Sequence, residues 1–150
     1  MYDSFLIKDT SLKNDYVNGE AVGFQMEVRL ANYRGIYLSL VSGFYVKVDG
    51  VEYPEEALTF EVNGKAPRTI PEIAKACFEH WDLQDSAILH VKKEGGLEKG
   101  THHVEYLPTT LDGYGYNAHD KEWVTNPPKP GTGGGGKTHS ICVYELELQA

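Results

Sequence analysis

The chain has 150 residues, a formal net charge of -8, and abundant Tyr and Gly. Domains cluster at about 100 to 150 residues, so this length suits one domain, spanning residues 1–150, with room for a real core. The acidic balance excludes a nucleic-acid or anionic-membrane surface, because either needs clustered Lys and Arg to meet phosphates.

The first clear element runs from Val22 to Leu30, where Val22, Phe24, Met26, Val28 and Leu30 alternate with Gly23, Gln25, Glu27 and Arg29. A period of two predicts a half-buried strand. Apolar runs follow over Ile36 to Val41 and Phe44 to Val48, separated by Ser42-Gly43. Asp49-Gly50 then separates Val46-Lys47-Val48 from Val51-Glu52-Tyr53, a strong hairpin signal, because a two-residue turn needs positive φ and Gly supplies it without strain. A second such turn, Asn63-Gly64, stands between Leu58 to Val62 and Lys65 to Ile70.

The spacing predicts one helix, Pro71 to Trp81, with Thr69 as its cap, Pro71 in the first turn, and a stripe of Ile73, Ala76, Cys77 and Trp81 facing the sheet. Two strands come next, Ala87 to Lys92 and His102 to Leu107, joined by a Gly-rich corner whose Leu97 is placed to plug the core. Residues 108–138 form a long Gly, Pro and aromatic loop without periodicity, and Ser140 to Leu148 reads as the last strand. The whole predicts an all-β fold: a β-sandwich of two antiparallel sheets with one short helix.

Cys77 and Cys142 match no metal or redox spacing and are expected as buried thiols. No segment approaches the roughly 20 apolar residues of a membrane span, and the start of the chain carries no secretory pattern, so a cytoplasmic location is the simplest reading.

Gly131 to Thr138 satisfies the phosphate-loop pattern letter for letter. Phosphate binding needs a strand entering and a helix leaving that loop, so that backbone N–H groups converge. Here Pro127-Pro128-Lys129-Pro130 precedes it and the strand-like Ile141-Cys142-Val143-Tyr144 follows, which favours a linker. The six histidines form no helical metal pair, and His102 and His103 point to opposite faces of one strand, so both are expected to be structural. No Ser or Cys stands in a nucleophile elbow. The sequence therefore offers no catalytic residue and no metal ligand set in this chain. Candidate contacts with a substrate or partner are Tyr33, Arg34 and Tyr37 around the second strand, and Tyr114, Tyr116, His119 and Trp123 in the long loop. Tyr and Trp combine a large apolar area with a polar tip and recur at interfaces and sugar clefts. An ordinary surface histidine is the competing reading of His119, and core filling that of some of the tyrosines.

Asn32 to Leu40, read with Gly23 to Leu30, resembles the small (beta) subunit family of bacterial C-glycoside deglycosidases. The likeness continues through Val46-Lys47-Val48-Asp49-Gly50, the proline-led segment ending near Trp81, and Gly95 to Val104. The resemblance implies a β-sandwich subunit of a hetero-oligomer, bound to a larger barrel-type alpha subunit that holds a divalent metal, typically manganese, with no cofactor in this chain. It implies cleavage of the C–C bond between a 3-oxo sugar and an aromatic, flavonoid-type aglycone, with the C-glycoside at a shared site. It carries no individual catalytic residue onto this chain. A stand-alone carbohydrate-binding or adaptor module is the alternative.

Overall fold

The computed structural model describes residues 6–29, 36–82, 85–110 and 142–149. Asn18 and Gly19, at φ 52° and 81°, fold β1 (Lys13–Val17) back onto β2 (Glu20–Val28). After β2 come β3 (Ile36–Tyr37), a 3-10 turn over Leu38–Leu40, β4 (Val41–Val48) and β5 (Val51–Glu52). The chain continues as β6 (Leu58–Glu61), β7 (Arg68–Thr69), α1 (Ile70–Ile73), β8 (His80–Trp81), β9 (Ala87–Lys92), β10 (Thr101–Thr110) and β11 (Cys142–Glu147).

The strands form a five-stranded sheet ordered β1-β2-β9-β6-β7 and a four-stranded sheet ordered β11-β10-β4-β5, with a small β3-β8 pair beside them. All the strand pairs are antiparallel. Phe24, Met26, Phe60 and Leu89 of the larger sheet and Val46, Val104 and Tyr106 of the other are essentially inaccessible to solvent and belong to one cluster. Phe44 on β4 lies 4.9 Å from Phe60 on β6, ring centre to ring centre, so the two sheets meet face to face. The all-β sandwich expected from the alternation is the fold observed. The β3-β8 pair is an addition that the sequence pattern did not disclose.

Both predicted hairpin turns form, with Asp49 and Gly50 at φ 50° and 84° and Asn63 and Gly64 at 59° and 72°. Leu97 is buried as expected, and Asn14 on β1 fixes it: Asn14 Oδ1 accepts from the Leu97 N–H at 2.8 Å, and Asn14 Nδ2 donates to the Leu97 carbonyl at 2.9 Å.

Three expectations need correction. The helix spans only Ile70–Ile73, not Pro71 to Trp81. Its start is as read, with Thr69 and Glu72 making a reciprocal capping box and Pro71 in the first turn. Beyond Ile73 the chain turns out, because Trp81 is drawn into the core 4.9 Å from Phe60, where it gains more than a short isolated helix can return. Trp81 therefore enters the core from strand β8, paired with Ile36, rather than from a helical stripe. The same change of course leaves Cys77 exposed, whereas Cys142 is buried as expected. Finally, Ile36 to Val41 is not one strand: it breaks at the 3-10 turn, and β4 runs unbroken through Ser42-Gly43. Of the predicted loop 108–138, residues 108–110 extend β10, with Pro108 opposite Phe44, and the rest lies outside the described residues. Among the described residues no helix is long and apolar enough to cross a membrane.

Candidate functional site

The segment between α1 and β8 presents the most solvent-exposed large apolar side chain among the described residues. Phe78 is 95% exposed, and exposed Cys77 precedes it. An isolated exposed apolar residue is ordinary, but a phenylalanine held this far out forgoes about 2 to 3 kcal/mol of burial, which only a covering partner returns. Tyr37, half-exposed at 51%, stands edge-on to His80, with ring centres 5.2 Å apart and planes at 88°. His80 in turn is paired with Asp82. The β3-β8 register places Tyr37 directly opposite His80 and ties the two to the Phe78 turn.

A charge clamp holds that turn in place. Arg68 on β7 grips Glu79 through both guanidinium arms, Nη1 to Oε1 at 3.0 Å and Nη2 to Oε2 at 2.7 Å. Lys65 adds a bond to Oε1 at 2.7 Å and Asn63 one to Oε2 at 2.9 Å. These donors, Arg68 first, hold the Glu79 carboxyl down to about 2 from its ordinary 4.5. The Glu79 carbonyl accepts from the Leu38 N–H at 2.7 Å. Glu79 thus links the Asn63-Gly64 hairpin, β7 and the start of the 3-10 turn, and its neighbour Phe78 is fixed on a rigid frame. The arrangement suits docking: an exposed aromatic anchor two residues before His80, which meets the second exposed ring, Tyr37, on a support held by the Glu79 bonds.

His102 and His103 on β10 are structural in geometry. His102 is buried and bonds Asp49 Oδ2 at 2.5 Å through Nδ1 and the Glu98 carbonyl at 2.6 Å through Nε2, while Asp49 Oδ1 accepts from the His103 N–H. Burial pulls the His102 pKa down, but the bonds to Asp49 and Glu98 outweigh it and the net shift is upward. The His102 bond lowers Asp49 correspondingly. His103 projects to the opposite, exposed face and pairs with Glu145.

Of the candidate contacts read from the sequence, Tyr37 stands on this patch. Tyr33, Arg34, Tyr114, Tyr116, His119 and Trp123 lie outside the described residues. Phe78 was missed. Its signal was present, since it falls off the Ile73, Ala76, Cys77, Trp81 stripe of the expected helix, and a phenylalanine off the apolar stripe has no core to enter.

The profile of the C-glycoside deglycosidase beta subunit family matches residues 2–114, which covers β1 to β10. The chain belongs to that family. It is 37% identical over 89 residues to the C-glycoside deglycosidase beta subunit of Eubacterium cellulosolvens, 59% of this chain and 60% of the relative. It is 32% identical over 84 residues to the protein of the same description from Microbacterium trichothecenolyticum, 56% of this chain and 63% of the relative. The matched stretch spans less than two thirds of either relative. The family match stops at residue 114, before the Gly131 to Thr138 run, so the phosphate-loop lettering is no part of what defines the family.

Proposed function

We propose that this chain is the small subunit of a hetero-oligomeric C-glycoside deglycosidase, docking through Phe78 and Tyr37 onto a larger barrel-type subunit that carries most of the chemistry. The observation that carries the reading is the family match across the strands β1 to β10. The exposed Phe78 on its Glu79 clamp supports the docking surface.

The reaction that fits is elimination from a 3-oxo sugar. The C3 ketone acidifies the C2 proton. A base takes that proton, the C–H electron pair becomes the C1–C2 double bond, and the C1–aryl bond breaks with its electrons going to the aglycone ring while an acid delivers a proton to that ring carbon. An electron-rich, flavonoid-type aglycone accepts that proton readily and departs as a neutral arene. A divalent metal such as manganese, when bound, supplies polarisation of the ketone oxygen. Among the described residues no three His, Cys, Asp or Glu side chains converge in a way that would hold such an ion, so the described part of this chain does not fit the metal, and the proposal assigns it to the larger subunit. The aromatic residues Tyr114, Tyr116 and Trp123, with His119, are proposed to border the shared substrate cleft together with Tyr33 and Arg34.

The test is cleavage of a 3-oxo-C-glycoside by this chain, by its candidate partner, and by the co-expressed pair with manganese. Activity confined to the pair is the expected result. Phe78→Asp is expected to abolish co-purification while leaving the fold intact by circular dichroism. A full-strength complex with Phe78→Asp removes the docking surface, and a partner whose activity is indifferent to this chain removes the subunit reading.

A further inference from the structure

The outer face of the five-stranded sheet holds a second site, built from residues outside β3, α1 and β8. The order β1-β2-β9-β6 sets Asp15, Gln25, His90 and Glu61 on four neighbouring strands. Their side chains bond in a row: Gln25 Nε2 donates to Asp15 Oδ1 at 2.6 Å, His90 Nδ1 meets Asp15 Oδ2 at 2.8 Å, and His90 Nε2 meets Glu61 Oε1 at 2.9 Å. Solvent-facing charges on a sheet do not ordinarily need such ordering. Here the side chains of His90 and Asp15 are only 20% and 22% exposed, so they form the polar side of a hollow rather than a free surface.

Gly23 keeps the floor of that hollow bare. It pairs with Asp15 on one side and Lys92 on the other, and a Cβ there would lie 2.1 Å from the Val91 carbonyl oxygen. The hollow is open to solvent and offers about 330 Å³. Its apolar side is Tyr16, Val17, Val22 and Pro67, of which Tyr16 is 64% and Val17 56% exposed. A bulge between Asp15 and Tyr16 brings these consecutive residues of one strand to the same opening.

The chemistry of the lining selects a ligand class. Both ring nitrogens of His90 are engaged by carboxylates, so the site's free capacity is the remaining lone pairs of Asp15 as acceptors and the Lys92 ammonium and Thr59 hydroxyl as donors. Of the two carboxylates only Asp15 lines the hollow, where the Lys92 ammonium offsets it, so the lining favours neither an anion nor a cation. The ligand needs hydroxyls that both give and accept, arranged on the rim of an otherwise apolar C–H face that can lie on a tyrosine ring. A volume near the bottom of the ~300 to 1,000 Å³ range of ligand sites admits one ring rather than a whole aryl glycoside. We propose that this hollow binds a single neutral pyranose ring, its C–H face on Tyr16 and its hydroxyls on Asp15, Thr59 and Lys92. The site goes beyond the subunit role above and does not require the partner.

The full chain, labelled with nitrogen-15, is titrated with methyl glucoside and in parallel with sorbitol and with glucuronate, following amide shifts. The expected result is saturable, millimolar binding of the glucoside, with shifts concentrated at residues 15–23 and 88–92. Tyr16→Ala, a change at an exposed ring, is expected to weaken it about tenfold with the rest of the spectrum unchanged. Asp15→Asn is expected to weaken it as well, and the Tyr16 variant carries the test should loss of the His90 bond disturb the sheet. The proposal is overturned by absence of saturable shifts, by equal response to sorbitol, by tighter binding of glucuronate, or by an unchanged affinity in Tyr16→Ala. Because the readout is binding by this chain alone, its failure leaves the subunit reading standing, and failure of complex formation leaves this one standing.

Discussion

Replacing Glu79 with Gln tests whether the charge clamp fixes the Phe78 turn, the docking surface proposed above. The carboxyl is depressed from 4.5 to about 2, first by the Arg68 fork and then by Lys65 and Asn63, against the opposing effect of burial. At about 1.4 kcal/mol per unit this sets a ceiling of roughly 3 kcal/mol. The side chains of Glu79 and Arg68 are 14% and 20% exposed, but Lys65 is 56% exposed and its share is screened by solvent, which brings the expected loss to about 2 kcal/mol. Gln keeps the shape and one acceptor and removes the charge, leaving the Arg68 guanidinium half-buried without its counter-ion, with an Nε that already lacks a partner among the described residues. For a chain of this length the melting temperature is expected to fall by about 4 to 8 °C near neutral pH. The sign with pH follows from the depressed pKa. The stabilisation is complete above the unfolded carboxyl's 4.5 and is lost as the pH falls to about 2, so urea denaturation of the wild type and Glu79→Gln is expected to differ by a constant amount above about pH 5 and to converge on acidification. A gap of the same size at about pH 3 as near neutrality, or none at either, refutes the clamp. Since Phe78 adjoins Glu79, the same variant is also expected to weaken partner binding more than its stability loss explains.

Three further outcomes are expected. Gly23→Ala forces a Cβ against the Val91 carbonyl oxygen at 2.1 Å, where only backbone movement gives relief, and is expected to cost about 3 kcal/mol by chemical denaturation. Thr69→Ala removes one half of the capping box and is expected to cost about 1 kcal/mol, read in the same assay. His102 is expected to titrate above its ordinary 6.5 in an NMR pH series, and to fall in Asp49→Asn. As a raised histidine, it stabilises the fold in full below 6.5 and loses that contribution as the pH rises through its folded value, whereas lowered Asp49 contributes above its ordinary 3.8, so the pair stabilises the Asp49-Gly50 hairpin most between those limits.

What the sequence disclosed depended on whether local and tertiary preferences agreed. Ala87 to Lys92 is β9 residue for residue, because alternation, β-branched content and burial all ask for the same strand. Asp49-Gly50 and Asn63-Gly64 were legible because positive φ at two successive residues is a local demand that few dipeptides meet. Asn18-Gly19 makes the same kind of turn, yet β1 was overlooked, since Lys13-Asn14-Asp15-Tyr16-Val17 lacks the apolar alternation that would have marked a strand before it. Its residues serve other ends: Asn14 pins Leu97, Asp15 orders His90, and Tyr16 opens to solvent. The failed helix follows the same logic in reverse. Ile73 to Trp81 has helical spacing, but spacing cannot register that Trp81 has a better place between the sheets beside Phe60, or that Glu79 is claimed by Arg68 from β7. Once those two long-range contacts are made, the residue between Cys77 and Glu79 has no inward direction left. The exposure of Phe78 is therefore a product of the tertiary structure, and its place off the expected helical stripe was the one local sign that it had no core to enter.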